Sequence, residues 1–76
     1  MYSGYISDCG LSYSSESLPD LTIKLHEYLA ESYGSYNVYN CKTEETLSSC
    51  KKITSPGEYL IKLRTDKNNQ IYCKIS

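Results

Sequence analysis

Between residues 17 and 34 the apolar positions recur at the spacing of a helix. Leu18, Leu21, Leu25, Tyr28, Leu29 and Tyr33 follow one another mostly at three- and four-residue steps, which puts them on a single stripe of a 3.6-residue spiral. Asp20, Lys24, Glu27 and Glu31 fall on the other side. Ser17 reads as the N-cap, with Asp20 three residues on as its capping-box partner and as negative charge in the first turn. Pro19 is compatible with that turn, whose amides have no intrahelical partner, and Gly34 suits a left-handed C-cap. The segment predicts an amphipathic helix that needs a flat apolar surface to lie on.

Elsewhere the period changes to two. Tyr59, Ile61 and Leu63 alternate with Leu60, Lys62 and Arg64, and Ile71, Cys73 and Ile75 alternate with Tyr72 and Lys74. These two runs predict a hairpin, with the intervening Asp66-Lys67-Asn68-Asn69 supplying a left-handed residue at Asn68 or Asn69. Ser55-Pro56-Gly57-Glu58 has the pattern of a type II turn. Residues 36–41 read as another strand, with Tyr36 and Val38 on one face and Tyr39 and Cys41 on or near the other; the pattern leaves open which face is inner. Residues 1–8 read as a strand anchored by Tyr5 and Ile6 and weakened by Gly4. The Ser- and Gly-rich residues 9–17 read as a loop, with Leu11 and Tyr13 folding back onto the core. Residues 43–52 read as a short helix capped by Thr43, with Glu44 and Glu45 at its positive end, Lys51 and Lys52 at its negative end, and Leu47 and Cys50 as anchors.

These elements predict one α+β domain over residues 1–76. It is a four-stranded, antiparallel-rich sheet with one helix across a face, in the order β-α-β-(short α)-β-β. At 76 residues the chain is near the lower limit for a self-sufficient core.

Composition alters the expected core. The chain has nine Tyr but no Phe or Trp, so tyrosine must serve both inside and outside, and each buried hydroxyl needs a partner. Residues 33–40 carry the Tyr/Ser/Gly/Asn mixture of rigid contact surfaces, a pattern that a half-buried strand also explains. The net charge is only −1, but it is unevenly spread. Residues 1–49 hold seven carboxylates against Lys24 and Lys42, a net −5, and residues 50–76 hold six cations against Glu58 and Asp66, a net +4. Such a division marks either two-signed contact surfaces or a domain that neutralises itself.

Cys9, Cys41, Cys50 and Cys73 allow two disulfides in three connectivities. No basic and apolar leader opens the chain, and no CxxC is present, so the reading favours reduced, mostly buried thiols in the cytoplasm and no metal. No apolar run approaches the ~20 residues of a membrane span.

Catalytic patterns are lacking. His26, the single histidine, lies on the helix flank and reads as a half-exposed surface residue, because nothing demands a cysteine beside it. Glu44 and Glu45 suit a helix dipole without acid–base work. The four glycines, at 4, 10, 34 and 57, make no phosphate loop. The expectation is no enzyme and no cofactor.

Two binding readings remain. In the first, a protein partner meets Tyr33, Tyr36, Tyr39, Leu60, Lys62, Arg64, Tyr72 and Lys74, with aromatic anchors and flanking charge. In the second, Leu60, Lys62, Arg64, Tyr72 and Lys74 on the hairpin's outer face hold a single-stranded nucleic acid by stacking and phosphate contacts. Either suits a monomer or a homodimer.

The helix at 18–33, the strand at 36–41 and the hairpin of 59–63 with 71–75, in so small a chain, resemble the architecture of small phage-encoded inhibitor proteins of the anti-CRISPR type. The resemblance covers most of the chain and implies a stoichiometric inhibitor that occupies a functional surface of a host defence complex without turnover. It assigns no role to any individual residue.

Overall fold

The computed structural model describes residues 1–8, 10–66 and 68–76. The chain forms β1 (Tyr2–Ile6), β2 (Leu11–Ser15), α1 (Leu18–Tyr33), β3 (Tyr36–Asn40), β4 (Thr46–Leu47), a 3-10 turn (Cys50–Lys52), β5 (Gly57–Leu63) and β6 (Gln70–Ile75). The strands make one six-stranded sheet in the order β2-β1-β6-β5-β3-β4, and every neighbouring pair is antiparallel. The α+β class and the antiparallel sheet under one helix agree with the sequence; the strand number does not.

The helix follows its stripe. Leu21, Leu25 and Leu29 are fully buried, in one core with Ile61, Leu63, Ile71 and Cys73, while Leu18, Tyr28 and Tyr33 pack at its margin. Gly34 ends the helix at φ 78, its N–H donating to the Ala30 carbonyl. The capping box does not form. The Ser17 hydroxyl makes no cap, and its own N–H donates instead to Ser15 Oγ at 3.3 Å. Thr22, outside the apolar stripe, is buried because its hydroxyl donates back to the Pro19 carbonyl at 2.9 Å and so hides no unpaired group.

Gly4 is what lets the helix approach β1. A Cβ there would lie 3.0 Å from Leu25 Cδ1 and 3.4 Å from Leu21 Cδ1. The residue that seemed to weaken the strand is thus its contact point with the helix. Tyr5 and Ile6 separate by alternation: Ile6 is in the core and Tyr5 is 43% exposed.

Both extra strands lie at the sheet's edges. Residues 11–15, expected within a loop, form β2, since Gly10 at φ 66 reverses the chain and the segment pairs along β1 from Tyr2↔Ser15 to Ile6↔Leu11. Serine's weak strand preference is overridden by that pairing. Leu11 and Tyr13 do turn toward the helix side, both half-buried. The expected helix at 43–52 is replaced by β4 and the 3-10 turn. Asn40 Oδ1 accepts from the Lys42 and Thr43 amides, and Glu44 takes φ 62. A tight turn therefore begins where the helix would have started, and Asn40 N–H donates to the Glu45 carbonyl to close it. Leu47 and Cys50 alone could not outweigh these bonds.

The β5–β6 hairpin forms as expected. In its turn Asp66 accepts from Asn68 N–H through its side chain and from Asn69 N–H through its carbonyl. Lys67 and Cys9 lie outside the described residues. Gly57, assigned by sequence to a type II turn, is the first residue of β5, with φ 157.

Leu25→Ala is expected to lower stability by ~2–5 kcal/mol, read from the urea midpoint. Gly4→Ala should destabilise the native protein by crowding Leu25, yet cost less in the Leu25→Ala background, where its methyl partly fills the cavity. Additive losses in that double-mutant cycle would contradict the contact.

Candidate functional site

Antiparallel register places side chains in rows across the sheet, and the face away from α1 carries three. Ser12, Tyr5, Lys74 and Glu58 form one row across β2, β1, β6 and β5. Tyr72, Leu60, Tyr39 and Thr46 form the next across β6, β5, β3 and β4. Gln70, Lys62 and Asn37 form the third. No helix covers this face, so Leu60, Tyr39 and Tyr72 are only half-buried, a contiguous patch of aromatic and aliphatic surface bordered by lysines.

Polar contacts hold the patch in shape. Tyr72 donates its hydroxyl proton to Glu58 Oε1 at 2.8 Å, and the carboxylate beside it pushes the phenol's pKa upward. The Lys62 ammonium lies 4.6 Å from the centre of the Tyr39 ring, a cation–π distance. Arg64, exposed just past β5, donates from Nη2 to Asn37 Oδ1 at 3.4 Å. Together Asn37, Lys62, Leu63, Arg64 and Gln70 line a shallow cleft of about 300 Å³ at one end of the face.

The candidate residues therefore divide. Tyr39, Leu60, Lys62, Tyr72 and Lys74 come together on the open face, with Arg64 at its corner. Tyr33 does not join them; it is half-buried at the end of α1, edge-on to Tyr28 with centroids 6.5 Å apart. Tyr36, expected on the contact surface, is in the core at 5% exposure. The correction follows from strand parity: Val38 is fully buried, and Tyr36, two residues away, must share its face. The open face also carries residues outside that candidate set, among them Tyr5 and Glu58. The alternation of Tyr5 with Ile6 is the sequence signal that places Tyr5 there; Glu58, which the sequence assigns to a turn, has no such signal.

Tyr36 has a different role, on the other side of the sheet. Its hydroxyl oxygen accepts the Cys50 N–H at 3.1 Å and lies 2.6 Å from His26 Nδ1. His26, Tyr36, Ala30, Gly34, Ser35, Ser48 and Arg64 surround a cleft of about 470 Å³. Beside it the Cys50 amide, the Tyr36 hydroxyl and the His26 imidazole are hydrogen-bonded in series. Burial pushes the Tyr36 phenol upward. Burial also pushes the Cys50 thiol up to about 11, partly offset by its hydrogen bond with Tyr36. Cys73 rises to about 12, through burial and then through Cys50. Thiols held protonated are the reverse of activated nucleophiles. Cys41, by contrast, is exposed.

Among the described residues no group of three His, Cys, Asp or Glu side chains is placed to hold a metal ion, and no helix is long and apolar enough to cross a membrane. Comparison of the chain with protein-family models, curated proteins and solved structures finds no match.

Tyr36→Phe should destabilise the fold by ~1–3 kcal/mol, because it leaves the buried Cys50 amide without an acceptor; a chemical-denaturation midpoint measures it. Cys50 and Cys73 bind protons more tightly folded than unfolded, where a thiol ionises near 9. Their contribution to stability is therefore complete below about pH 9 and is lost as pH rises toward 11–12. Urea midpoints across pH 8–11 should fall, and Cys73→Ala should flatten that fall.

Proposed function

We propose that this chain is a non-catalytic protein-binding module whose contact surface is the uncovered sheet face. The observation that carries the reading is the row Tyr72–Leu60–Tyr39, three large side chains side by side on adjacent strands with no element above them. Aromatic and arginine anchors concentrate binding energy, and surrounding charges set rate and register. Lys62, Lys74 and Arg64 against Glu58 give the face a positive balance, so the complementary partner presents an apolar centre ringed by carboxylates. In the fuller reading, supported by the architectural resemblance to phage-encoded inhibitors of the anti-CRISPR type, the chain works in the host cytoplasm. There it blocks a defence complex by occupancy, at one copy per site.

The same tyrosines and lysines could serve a single-stranded nucleic acid, and two contacts weigh against that reading. Lys62 already covers a face of Tyr39, where a base would stack, and Glu58 stands beside Tyr72 at 2.8 Å, where it would repel a phosphate.

Affinity capture from a nuclease-treated bacterial lysate at ~150 mM salt, where long-range attraction between exposed charges is screened, should retain one specific protein complex. Tyr72→Ala or Tyr39→Ala should weaken it by ~2 kcal/mol or more, about thirtyfold in Kd, with unchanged unfolding midpoints. Charge reversal at Glu27 or Glu31 on the helix should leave it intact. Oligonucleotide binding at that salt, with Lys62, Arg64 and Lys74 each adding to the salt slope, would overturn the reading in favour of nucleic acid.

A further inference from the structure

The sheet's two edges are built differently. β4, at one edge, is two residues long, Thr46–Leu47, and follows Glu44 and Glu45. Short length and nearby charge are how sheets prevent edge-to-edge pairing. β2, at the other edge, runs for five residues, Leu-Ser-Tyr-Ser-Ser, with no charge, no proline and no residue taken out of register with β1.

Which of its backbone groups are free follows from register. Ser3 and Ser76 exchange both amide bonds, and Ser7 N–H donates to the Tyr72 carbonyl, so Ser3, Tyr5 and Ser7 direct their backbone groups toward β6. Alternation turns Tyr2, Gly4 and Ile6 toward β2, where they face Ser15, Tyr13 and Leu11. The amides and carbonyls of Ser12 and Ser14 therefore point away from the sheet, along its open edge.

We propose that β2 pairs antiparallel with β2 of a second copy of this chain, about a twofold axis at Tyr13. In that register Ser12 of each protomer faces Ser14 of the other. Four amide–carbonyl bonds form from the four groups that the monomer leaves outward. A second copy brings the matching strand, because its own Ser12 and Ser14 present the same amides and carbonyls in the antiparallel order that β2 requires. Leu11 meets Ser15, the two Tyr13 side chains stand side by side on the helix face, and beyond the strand Glu16 meets Gly10, so no like charges oppose one another. The interface is isologous and closed, so it stops at a dimer. It joins the two sheets into one of twelve strands and makes the two open faces continuous. The inference is independent of what that face binds.

Sedimentation velocity across a concentration series, with amide hydrogen exchange read at Ser12 and Ser14, tests it. The native chain should pass from monomer to dimer, with exchange at both amides slowing as dimer accumulates. Both side chains are exposed, so Ser12→Glu with Ser14→Glu should leave the unfolding midpoint of the monomer, read at low concentration, unchanged while setting carboxylates opposite each other and abolishing the dimer. An equal mixture of that variant with Ser12→Lys/Ser14→Lys should restore a dimer containing one of each. A native chain that stays monomeric at millimolar concentration would overturn the proposal. So would a dimer that survives the glutamates, a charge-paired mixture that stays monomeric, or protection of Ser12 and Ser14 only on adding a foreign extended peptide.

Discussion

A single helix of sixteen residues, roughly 24 Å long and 10 Å across, has to cover a sheet of six strands that spans about 24–29 Å. It can do so on one face only. Everything apolar that the chain can afford to hide is therefore gathered beneath Leu21, Leu25 and Leu29, and the opposite face remains in water. The helix reaches its depth over β1 only because Gly4 has no side chain. Each strand divides in two as a result: Tyr59, Ile61 and Leu63 below the helix, Leu60 and Lys62 above nothing.

Without phenylalanine or tryptophan, large core volume comes from tyrosine, and each buried tyrosine brings a hydroxyl that must be satisfied. Tyr59 donates to the Ser55 carbonyl at 2.6 Å, anchoring the loop before β5. Tyr36 links three separate parts of the chain, α1 through His26, β3 through its own backbone, and the 3-10 turn through the Cys50 amide. No buried side-chain polar atom lacks a partner among the described residues. In so small a core these bonds specify which turn lies over which strand, work that aliphatic contacts do less selectively.

The open surfaces differ in kind. The helix exposes mixed charge at Asp20, Lys24, Glu27 and Glu31, which keeps it hydrated. The sheet's outer face instead combines Tyr5, Tyr39, Tyr72 and Leu60 with Lys62, Lys74 and Glu58. The β2 edge offers backbone groups instead of side chains. A small domain whose core is limited by its single helix has reason to draw on such surfaces for further stability.

The sequence by itself determined the elements whose residues repeat a period long enough to be unambiguous. The helix stripe, the β5–β6 alternation and the outward set Leu60, Lys62, Tyr72 and Lys74 were all legible from spacing. Reading failed where a segment's state depends on a neighbour distant in the chain. Leu11–Ser15 is a strand because β1 lies beside it, and the residues after Asn40 turn because a carboxamide takes two amides that a helix would have left free at its N-terminus. Tyr36 and Tyr39 look alike in sequence, three residues apart in a run of similar composition. Only the tertiary structure decided that one is core and the other surface, because β3 pairs with β5 in the register that sets Val38 against Ile61, and a shift of one residue would have exchanged them.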